Sequence, residues 1–183
     1  MTYTVRPVRS EEWPLAREIR LAALQDPDAH LAFLDTYEAA VARPEQVWRD
    51  RCAAAEEGRT VRQFIGQDAA GRWLGTVTVL VELPGDEAAF GGPPSVPQAH
   101  IVGVYVRPEA RGSGLAEELF RAAVAWSWAL PEPRVERVRL YTHEKNLRAQ
   151  AFYAKVGFVP SGVTVPVPGD ESAREIELVA PRG

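Results

Sequence analysis

The chain has 183 residues, of which 46% are hydrophobic and 25% are charged, and its formal net charge at pH 7 is −4. These values are typical of a globular protein of one domain, and no apolar run approaches the roughly 18–20 residues that a membrane-spanning helix needs. The acidic balance disfavours nucleic acid as a partner, and the first residues lack the apolar core of a signal peptide. We therefore expect a cytoplasmic protein with no nucleic-acid or membrane partner.

The residues that most often bind metals or form covalent intermediates are few. The single cysteine, Cys52, excludes an intrachain disulfide, and it lies in a segment with helical spacing. A structural cysteine is the favoured interpretation there. The three histidines, His30, His100 and His143, are scattered along the chain and form no zinc-binding spacing with Cys52. The sequence therefore predicts no metal site.

In the first part of the chain, the pattern predicts one strand followed by helices. Ser10 can cap the first helix, whereas Pro44 and Gly58 are placed to open and close the last one. Residues 26–35 resemble a loop. The predicted elements are a strand over residues 2–9 and helices over about 11–25, 36–42 and 44–57.

The rest of the chain predicts strands that alternate with two helices, which indicates an α/β fold. Residues 84–98 are rich in glycine and proline and predict a loop, either a cover over a site or a surface insertion. Gly157 is placed to end the second helix. The predicted elements are strands over residues 60–68, 72–83, 99–106, 135–143, 158–167 and 172–180, and helices over about 117–130 and 146–156.

The stretch RPEARGSGLA, residues 107–116, separates an apolar strand from an amphipathic helix. The beginning of a helix leaves backbone N–H groups unpaired and carries partial positive charge, so it binds anions, most often phosphate. Gly112 and Gly114 let the backbone approach an anion, because they have no Cβ. Ser113 can donate a further hydrogen bond, and Arg111 adds a full charge. The turn therefore predicts a phosphate-binding site.

Two common phosphate-binding loops do not fit this turn. A nucleoside-triphosphate loop requires Gly-Lys followed by Ser or Thr, and the lysine is absent. The dinucleotide fingerprint requires a third glycine where this chain has Glu117, whose charge opposes a pyrophosphate. A turn without a ligand and a nucleotide site of unusual sequence stay open at this point.

Two segments of the second half resemble one known family. Residues 111–116 match the (Arg/Gln)-x-x-Gly-x-(Gly/Ala) signature of the GCN5-related N-acetyltransferase (GNAT) superfamily, and an apolar strand precedes them as in that family. Residues 140–158, LYTHEKNLRAQAFYAKVGF, resemble its second motif, which is a strand, an asparagine, a helix with a tyrosine, and Gly-Phe. The motifs cover about residues 99–160 in the family's order and spacing, whereas the first half fits loosely.

The resemblance implies a GNAT fold over a single domain, residues 1–183. This fold is a mixed, twisted sheet of about six to seven strands with helices on both faces and a splayed cleft between strands 4 and 5. Acetyl-coenzyme A enters the cleft, with its pyrophosphate on the loop amides and its pantetheine arm along the fourth strand and the second motif. The implied cofactor-binding residues are Val104, Tyr105, Val106, Arg111, Gly112, Ser113, Gly114, Leu115, Ala116, Asn146, Ala149 and Phe152.

The same resemblance assigns candidate groups for acetyl transfer. Tyr153 matches the tyrosine that faces the cofactor sulfur, which implies a general acid for the leaving thiolate; a core aromatic is the alternative. A backbone amide near Val104 is the candidate donor to the oxyanion.

The general base has several candidates. Relatives often place a glutamate about where His100 lies, and a histidine there is suited to taking a proton at neutral pH. Glu82 is a rival, and His143 and Glu144 are further rivals for which solvated turn positions are the favoured interpretation. Some relatives use ordered water alone.

The resemblance therefore implies an enzyme that moves an acetyl group from acetyl-coenzyme A to a primary amine of a small molecule or peptide. A protein N-terminus or lysine is an alternative acceptor, and an acyl-coenzyme A sensor without catalysis is an alternative function. A homodimer is common in the family. Arg111→Ala is expected to weaken acetyl-coenzyme A binding by about 1–3 kcal/mol, the range for a charge-assisted hydrogen bond.

Overall fold

The computed structural model describes residues 1–182 as one seven-stranded mixed sheet packed with six helices. The strands are β1 (Thr4–Pro7), β2 (Val61–Gln67), β3 (Trp73–Glu82), β4 (Gln98–Val106), β5 (Arg137–His143), β6 (Val159–Val167) and β7 (Asp170–Pro181). The helices are α1 (Trp13–Leu24), α2 (Ala29–Ala32), α3 (Tyr37–Ala42), α4 (Glu45–Glu57), α5 (Leu115–Ala129) and α6 (Leu147–Lys155). The predicted α/β class is confirmed.

The beginning of the first helix differs from the prediction. A 3₁₀ turn over Ser10–Glu12 precedes α1, and Ser10 lies inside that turn instead of capping it. The Glu12 carboxylate accepts from the Arg9 amide at 2.9 Å and pairs with the Arg6 guanidinium at 2.5 Å. A carboxylate that reaches back from the first turn thus takes the role predicted for Ser10.

The later helix boundaries follow from their terminal residues. The Thr36 hydroxyl accepts from the Ala39 amide at 3.2 Å and caps α3. Gly58 ends α4 in the left-handed conformation at φ +66°, which costs a glycine little. The one-turn helix α2 lies within the segment predicted as a loop.

The strand order is β1-β2-β3-β4-β5-β7-β6, in which only β4 and β5 are parallel neighbours. Their pairing covers three positions and ends where His100 faces Arg139. Beyond that pair the two strands separate, while β4 stays paired with β3 and β5 with β7. The predicted splayed cleft between strands 4 and 5 is confirmed.

The two faces of the sheet are covered by different helices. On one face, α5 buries Leu115, Leu119 and Ala123 against apolar residues of β3, β4 and β5. On the other face, α1 and α4 pack over Ile65 and Tyr105. No helix within residues 1–182 is long and apolar enough to cross a membrane.

Candidate active site

A cavity of about 1110 Å³ opens where β4 and β5 separate. Its walls come from the end of β3, from residues 100–105 of β4, from residues 140–142 of β5, and from α1, α4 and the loop over residues 84–98. This volume slightly exceeds the roughly 300–1,000 Å³ of ordinary small-ligand pockets, so it offers room for more than one small molecule. The loop therefore forms part of the cavity wall, which favours its interpretation as a cover.

The fourth strand carries a bulge at the cavity. Gly103 and Val104 have no partner on β3 and lie opposite the single residue Val77. Gly103 adopts φ +62°, a conformation that favours glycine. A bulge turns backbone groups out of the ladder, and the β5 side of the strand is already free there. Backbone groups of Gly103 and Val104 are consequently available to a ligand, whereas the Val106 carbonyl already accepts from Arg111.

The loop between β4 and α5 presents a row of unpaired amides. The N–H groups of Gly112, Gly114 and Ala116 have no acceptor within residues 1–182, and the Leu115 amide has only the Ser113 hydroxyl at 3.4 Å. Both glycines adopt positive φ, +78° and +88°. A methyl group at Gly112 would meet no protein atom within 4 Å. This open nest of donors at a helix N-terminus has the chemistry of a phosphate site.

Two side chains of the loop are engaged within the protein. The Arg111 guanidinium donates to the Val106 carbonyl at 3.0 Å and forms an ion pair with Asp26 at 2.5 Å. The Ser113 hydroxyl donates to the Ala110 carbonyl at 2.7 Å. These contacts fix the shape of the loop. The further hydrogen bond that the sequence assigned to Ser113 is therefore already used inside the turn.

The second motif forms the opposite side of the cavity. The Asn146 side chain accepts from the Ala149 amide at 3.2 Å and so caps α6. Its terminal N–H groups have no partner in residues 1–182 and the residue lines the cavity. Phe152 packs edge-on against Phe120 of α5, with ring centroids 5.2 Å apart. The asparagine therefore has donors available to a ligand, whereas Phe152 anchors the helix.

Tyr153 lines the same cavity, half-buried between aromatic rings. Its ring lies 5.5 Å from Phe120 and 6.5 Å from Phe158, between centroids. Its hydroxyl makes no hydrogen bond within the described chain. Burial, aided by the charge of Glu175, raises the pKa of Tyr153 to about 12. The phenol is therefore protonated at every ordinary pH and can donate a proton.

The two candidate bases predicted from the sequence form one unit. Glu82 Oε1 lies 2.5 Å from His100 Nδ1, and Glu82 Oε2 accepts from Arg139 at 2.6 Å. His100 and Arg139 are each only 1% exposed, and both His100 and Glu82 line the cavity. Burial opposes ionisation of Glu82, but its bonds to His100, Gln98 and Arg139 hold its pKa below the usual value. The carboxylate is thus a fixed anion beside the imidazole.

The same polar network continues along β5 and β7. Arg139 also pairs with Glu177 at 3.2 Å, and the Tyr141 hydroxyl donates to Glu177 at 3.1 Å. The loop over residues 84–98 packs on Tyr141, where Phe90 makes an edge-on contact at 5.0 Å between centroids. The loop therefore covers the network and separates it from bulk solvent.

Residues 15–158 of this chain match the acetyltransferase (GNAT) family. The chain belongs to this family. The resemblance of the two motifs to GNAT proteins is confirmed. The two motifs that carry the resemblance are the loop with unpaired amides and the segment from β5 to α6.

Similar proteins support the family and the fold. A mycothiol acetyltransferase of Arthrobacter sp. (strain FB24) is 29% identical over 85% of this chain, which spans only 51% of that relative. A GNAT acetyltransferase from Streptococcus pneumoniae has a TM-score of 0.73 at 12% identity, covering 99% of this chain and all of the other. The PaiA N-acetyltransferase of Thermoplasma acidophilum, solved with coenzyme A, has a TM-score of 0.70 at 14% identity with full coverage of both chains.

One acidic residue of this GNAT site was missed from the sequence. Glu175 on β7 lines the cavity, is 8% exposed, and has no hydrogen-bond or ion-pair partner within residues 1–182. Burial raises its pKa to about 7. The signal was present in the strand, because Glu175 and Glu177 alternate with apolar residues and so share one face.

The remaining candidate bases have structural partners. His143 is buried, not solvated, because it ends β5 opposite Glu175; its Nδ1 accepts from the Lys145 amide at 3.1 Å. The Glu144 carboxylate accepts from the Arg174 amide at 3.0 Å.

Burial raises the pKa of the Cys52 thiol to about 11, which disfavours the nucleophilic thiolate. No group of three potential metal ligands occurs in residues 1–182.

Proposed function

We propose that this chain transfers an acetyl group from acetyl-coenzyme A to a primary amine of a small molecule or peptide. The observation that carries the proposal is the set of unpaired amides of Gly112, Gly114 and Ala116 in the loop that follows β4, the strand that separates from β5. Coenzyme A needs a site for its pyrophosphate, which the loop amides provide, and a free strand edge for its extended pantetheine arm, which β4 provides. Membership of the family and the coenzyme A in the Thermoplasma acidophilum relative support this assignment.

In this proposal, His100 removes the proton from the acceptor amine, directly or through water. Glu82 accepts a hydrogen bond from Nδ1–H, which fixes the tautomer and leaves Nε2 with its lone pair. The Glu82 anion also stabilises the imidazolium that forms. Glu82 thus acts as a positioning residue through His100 and does not itself take the proton.

The deprotonated amine then attacks the thioester carbonyl. The bulge at Gly103 and Val104 offers a backbone N–H to the developing oxyanion. When the carbon–sulfur bond breaks, Tyr153 donates its hydroxyl proton to the thiolate. The raised pKa of about 12 keeps the Tyr153 phenol protonated until the thiolate forms, although it also makes the phenol a weaker acid than an ordinary tyrosine. Its hydroxyl has no competing partner in the described chain.

Titration calorimetry with acetyl-coenzyme A, coenzyme A and ATP, paired with an amine-acceptor screen, tests this function. We expect micromolar binding that selects coenzyme A species over ATP, and turnover of at least one amine. Tyr153→Phe should retain cofactor affinity while kcat falls by about 10²-fold or more. Absence of acetyl-coenzyme A binding by folded protein would overturn the proposal.

The two alternatives give different results in the same experiment. A non-catalytic sensor would bind acetyl-coenzyme A, turn over no amine and respond equally as the Tyr153→Phe variant. A protein acetyltransferase would modify peptide N-termini or lysines and leave small amines unmodified. A homodimer and a cytoplasmic location also belong to this proposal, and mass measurement in solution tests the former.

A further inference from the structure

The cavity wall formed by α1, α3 and α4 carries three arginines and one ion-paired carboxylate. Arg43 binds Asp35 through two hydrogen bonds, at 2.8 and 2.7 Å, and Arg20 binds the same carboxylate at 3.2 Å. Arg51 lines the cavity beside them and forms no ion pair or hydrogen bond within residues 1–182. Three guanidinium groups share one carboxylate, so two positive charges are uncompensated.

Aromatic rings hold these guanidinium groups in place. Arg20 lies over the Phe33 ring at 4.7 Å, and Arg43 and Arg51 lie over the Trp48 ring at 5.7 Å each. Planar guanidinium groups held on aromatic faces are preorganised to bind a planar carboxylate through paired hydrogen bonds. The rings therefore favour a binding role over freely moving surface arginines.

The charge of the cluster is costly where it lies. Burial lowers the pKa of Arg20, and the charges of Arg43 and Arg51 lower it further against the opposing effect of Asp35. The Asp50 carboxylate also lines the cavity, but it accepts from Gln46 and pairs with no arginine of the cluster. An anion from outside the protein would relieve the repulsion among the three arginines.

Acidic and basic side chains of the strands line the rest of the cavity. Glu82 and His100, on β3 and β4, and Glu175, on β7, are among them. A ligand with an amine at the strand end and an anionic group at the arginines matches both ends. Polyamines and other purely cationic amines match only one.

We infer that the acceptor is an amine that also carries a carboxylate, and that Arg51 and Arg20 bind this carboxylate. The inference rests on the proposed acetyl transfer and names its substrate class as amino acids and related amino-carboxylates. Arg51 is the one guanidinium of the three that has no hydrogen-bond or ion-pair partner within residues 1–182, so it supplies the main contact. Arg20, which is held by Asp35, adds positive charge that attracts the same carboxylate.

Matched acceptors test the inference. Amino acids are compared with their carboxamides, which keep the amine and lose the charge, and spermidine represents cationic amines. We expect kcat/KM at least tenfold higher for the acids than for the amides. Arg51→Gln should reduce the acid values by about tenfold or more and leave the amide values unchanged, as loss of one charge-assisted hydrogen bond implies.

Arg49→Gln is the matched control, because Arg49 lies on the same helix and pairs with Glu45 at 2.5 Å outside the cavity. It should leave the ratio of acid to amide unchanged. Equal use of acids and amides by the unmodified protein, or an unchanged ratio in Arg51→Gln, would overturn the carboxylate site while acetyl-coenzyme A binding and amine turnover still support the proposed function.

Binding of the N-acetyl amino acids, the reaction products, gives a readout that does not depend on turnover. Calorimetry in the presence of coenzyme A should show binding of N-acetyl amino acids and at least tenfold weaker binding of their amides, with the preference lost in Arg51→Gln. This preference would support the carboxylate site even if no amine in the panel were acetylated. Equal affinities would overturn it.

Discussion

Glu82 Oε1 lies 2.5 Å from His100 Nδ1, and the other oxygen of the same carboxylate is held by Arg139 at 2.6 Å. The arginine fixes the carboxylate, and the carboxylate fixes the imidazole tautomer. This chain of contacts leaves one imidazole nitrogen available in the cavity without a competing carboxylate. Removal of the imidazole is therefore the most direct way to test the proposed base.

His100→Gln should lower kcat by about 10²- to 10⁴-fold, the usual contribution of a general base, because the glutamine cannot take the proton. Glu82 keeps its bonds to Arg139 and Gln98 in this variant, so no buried charge loses all its partners. The dissociation constant of acetyl-coenzyme A should stay within about twofold of the original value. Steady-state kinetics and calorimetry measure the two effects.

His30→Gln is the control for this prediction. His30 also lines the cavity, but it is exposed and forms no ion pair with a carboxylate in residues 1–182. The kcat of the His30→Gln variant should stay near that of the original protein. Full activity of His100→Gln would contradict the base role and direct attention to water or to Glu175.

Gly112→Ala should weaken acetyl-coenzyme A binding by about tenfold or more. The alanine costs about 1–2 kcal/mol at φ +78°, and its methyl group occupies the open space in front of the loop amides. The proposed phosphate oxygens would approach through this space. Calorimetry gives the affinity, and thermal unfolding of the free protein gives the strain.

Gly71→Ala separates the two effects. Gly71 lies in the turn between β2 and β3 at φ +83°, and a methyl group there also meets no protein atom within 4 Å. The two variants should lose similar stability, because the backbone strain is nearly the same. Only Gly112→Ala should lose affinity; an equal loss in both variants would mean that strain alone acts on binding.

The features that could be predicted from the sequence are those that depend on neighbouring residues. Gly112 and Gly114 mark the loop because the backbone conformation needed there is nearly restricted to glycine. The order of strands and helices followed from local periodicity, and the splayed strands followed from the resemblance of two motifs. The prediction that Ser10 caps the first helix was wrong. The carboxylate of Glu12, which is held by Arg6, takes that role.

The features that were missed depend on residues distant in sequence. Arg111 and Asp26 are 85 positions apart in sequence. We therefore expected the charge of Arg111 to act on a phosphate, whereas in the structure the Asp26 carboxylate neutralises it. The cluster of Arg20, Arg43 and Arg51 forms only after α1, α3 and α4 pack together. Neither pairing has a periodic signal along the chain, because packing in three dimensions determines both.

The Asp26 pairing gives a test of how the loop binds phosphate. Arg111→Ala should weaken acetyl-coenzyme A binding by about 1–3 kcal/mol, because the loop loses the bond to the Val106 carbonyl and the negative charge of Asp26 is left without its partner. Asp26→Asn should tighten binding, because Arg111 keeps its place while the opposing negative charge is removed. Calorimetry at two salt concentrations measures both changes. Unchanged affinity in both variants would mean that the amides alone bind the phosphate.

Glu175 should make the free protein less stable as the pH rises. Burial raises its pKa to about 7 from an ordinary value of 4.5, so the folded protein binds a proton that the unfolded chain releases between these pH values. The associated stability is fully present below about pH 4.5 and is lost as the pH rises through 7. It amounts to about 3 kcal/mol at most.

Denaturant unfolding of the free protein and of Glu175→Gln from pH 4.5 to 8 measures this contribution. Relative to the variant, the original protein should lose stability steadily across that interval, because glutamine binds no proton in either state. Glu171→Gln removes an exposed carboxylate from the same strand and should keep the original pH dependence. If stability varied with pH in the same way for the original protein and for Glu175→Gln, the Glu175 carboxylate would ionise normally. Burial in the cavity would then not keep it neutral.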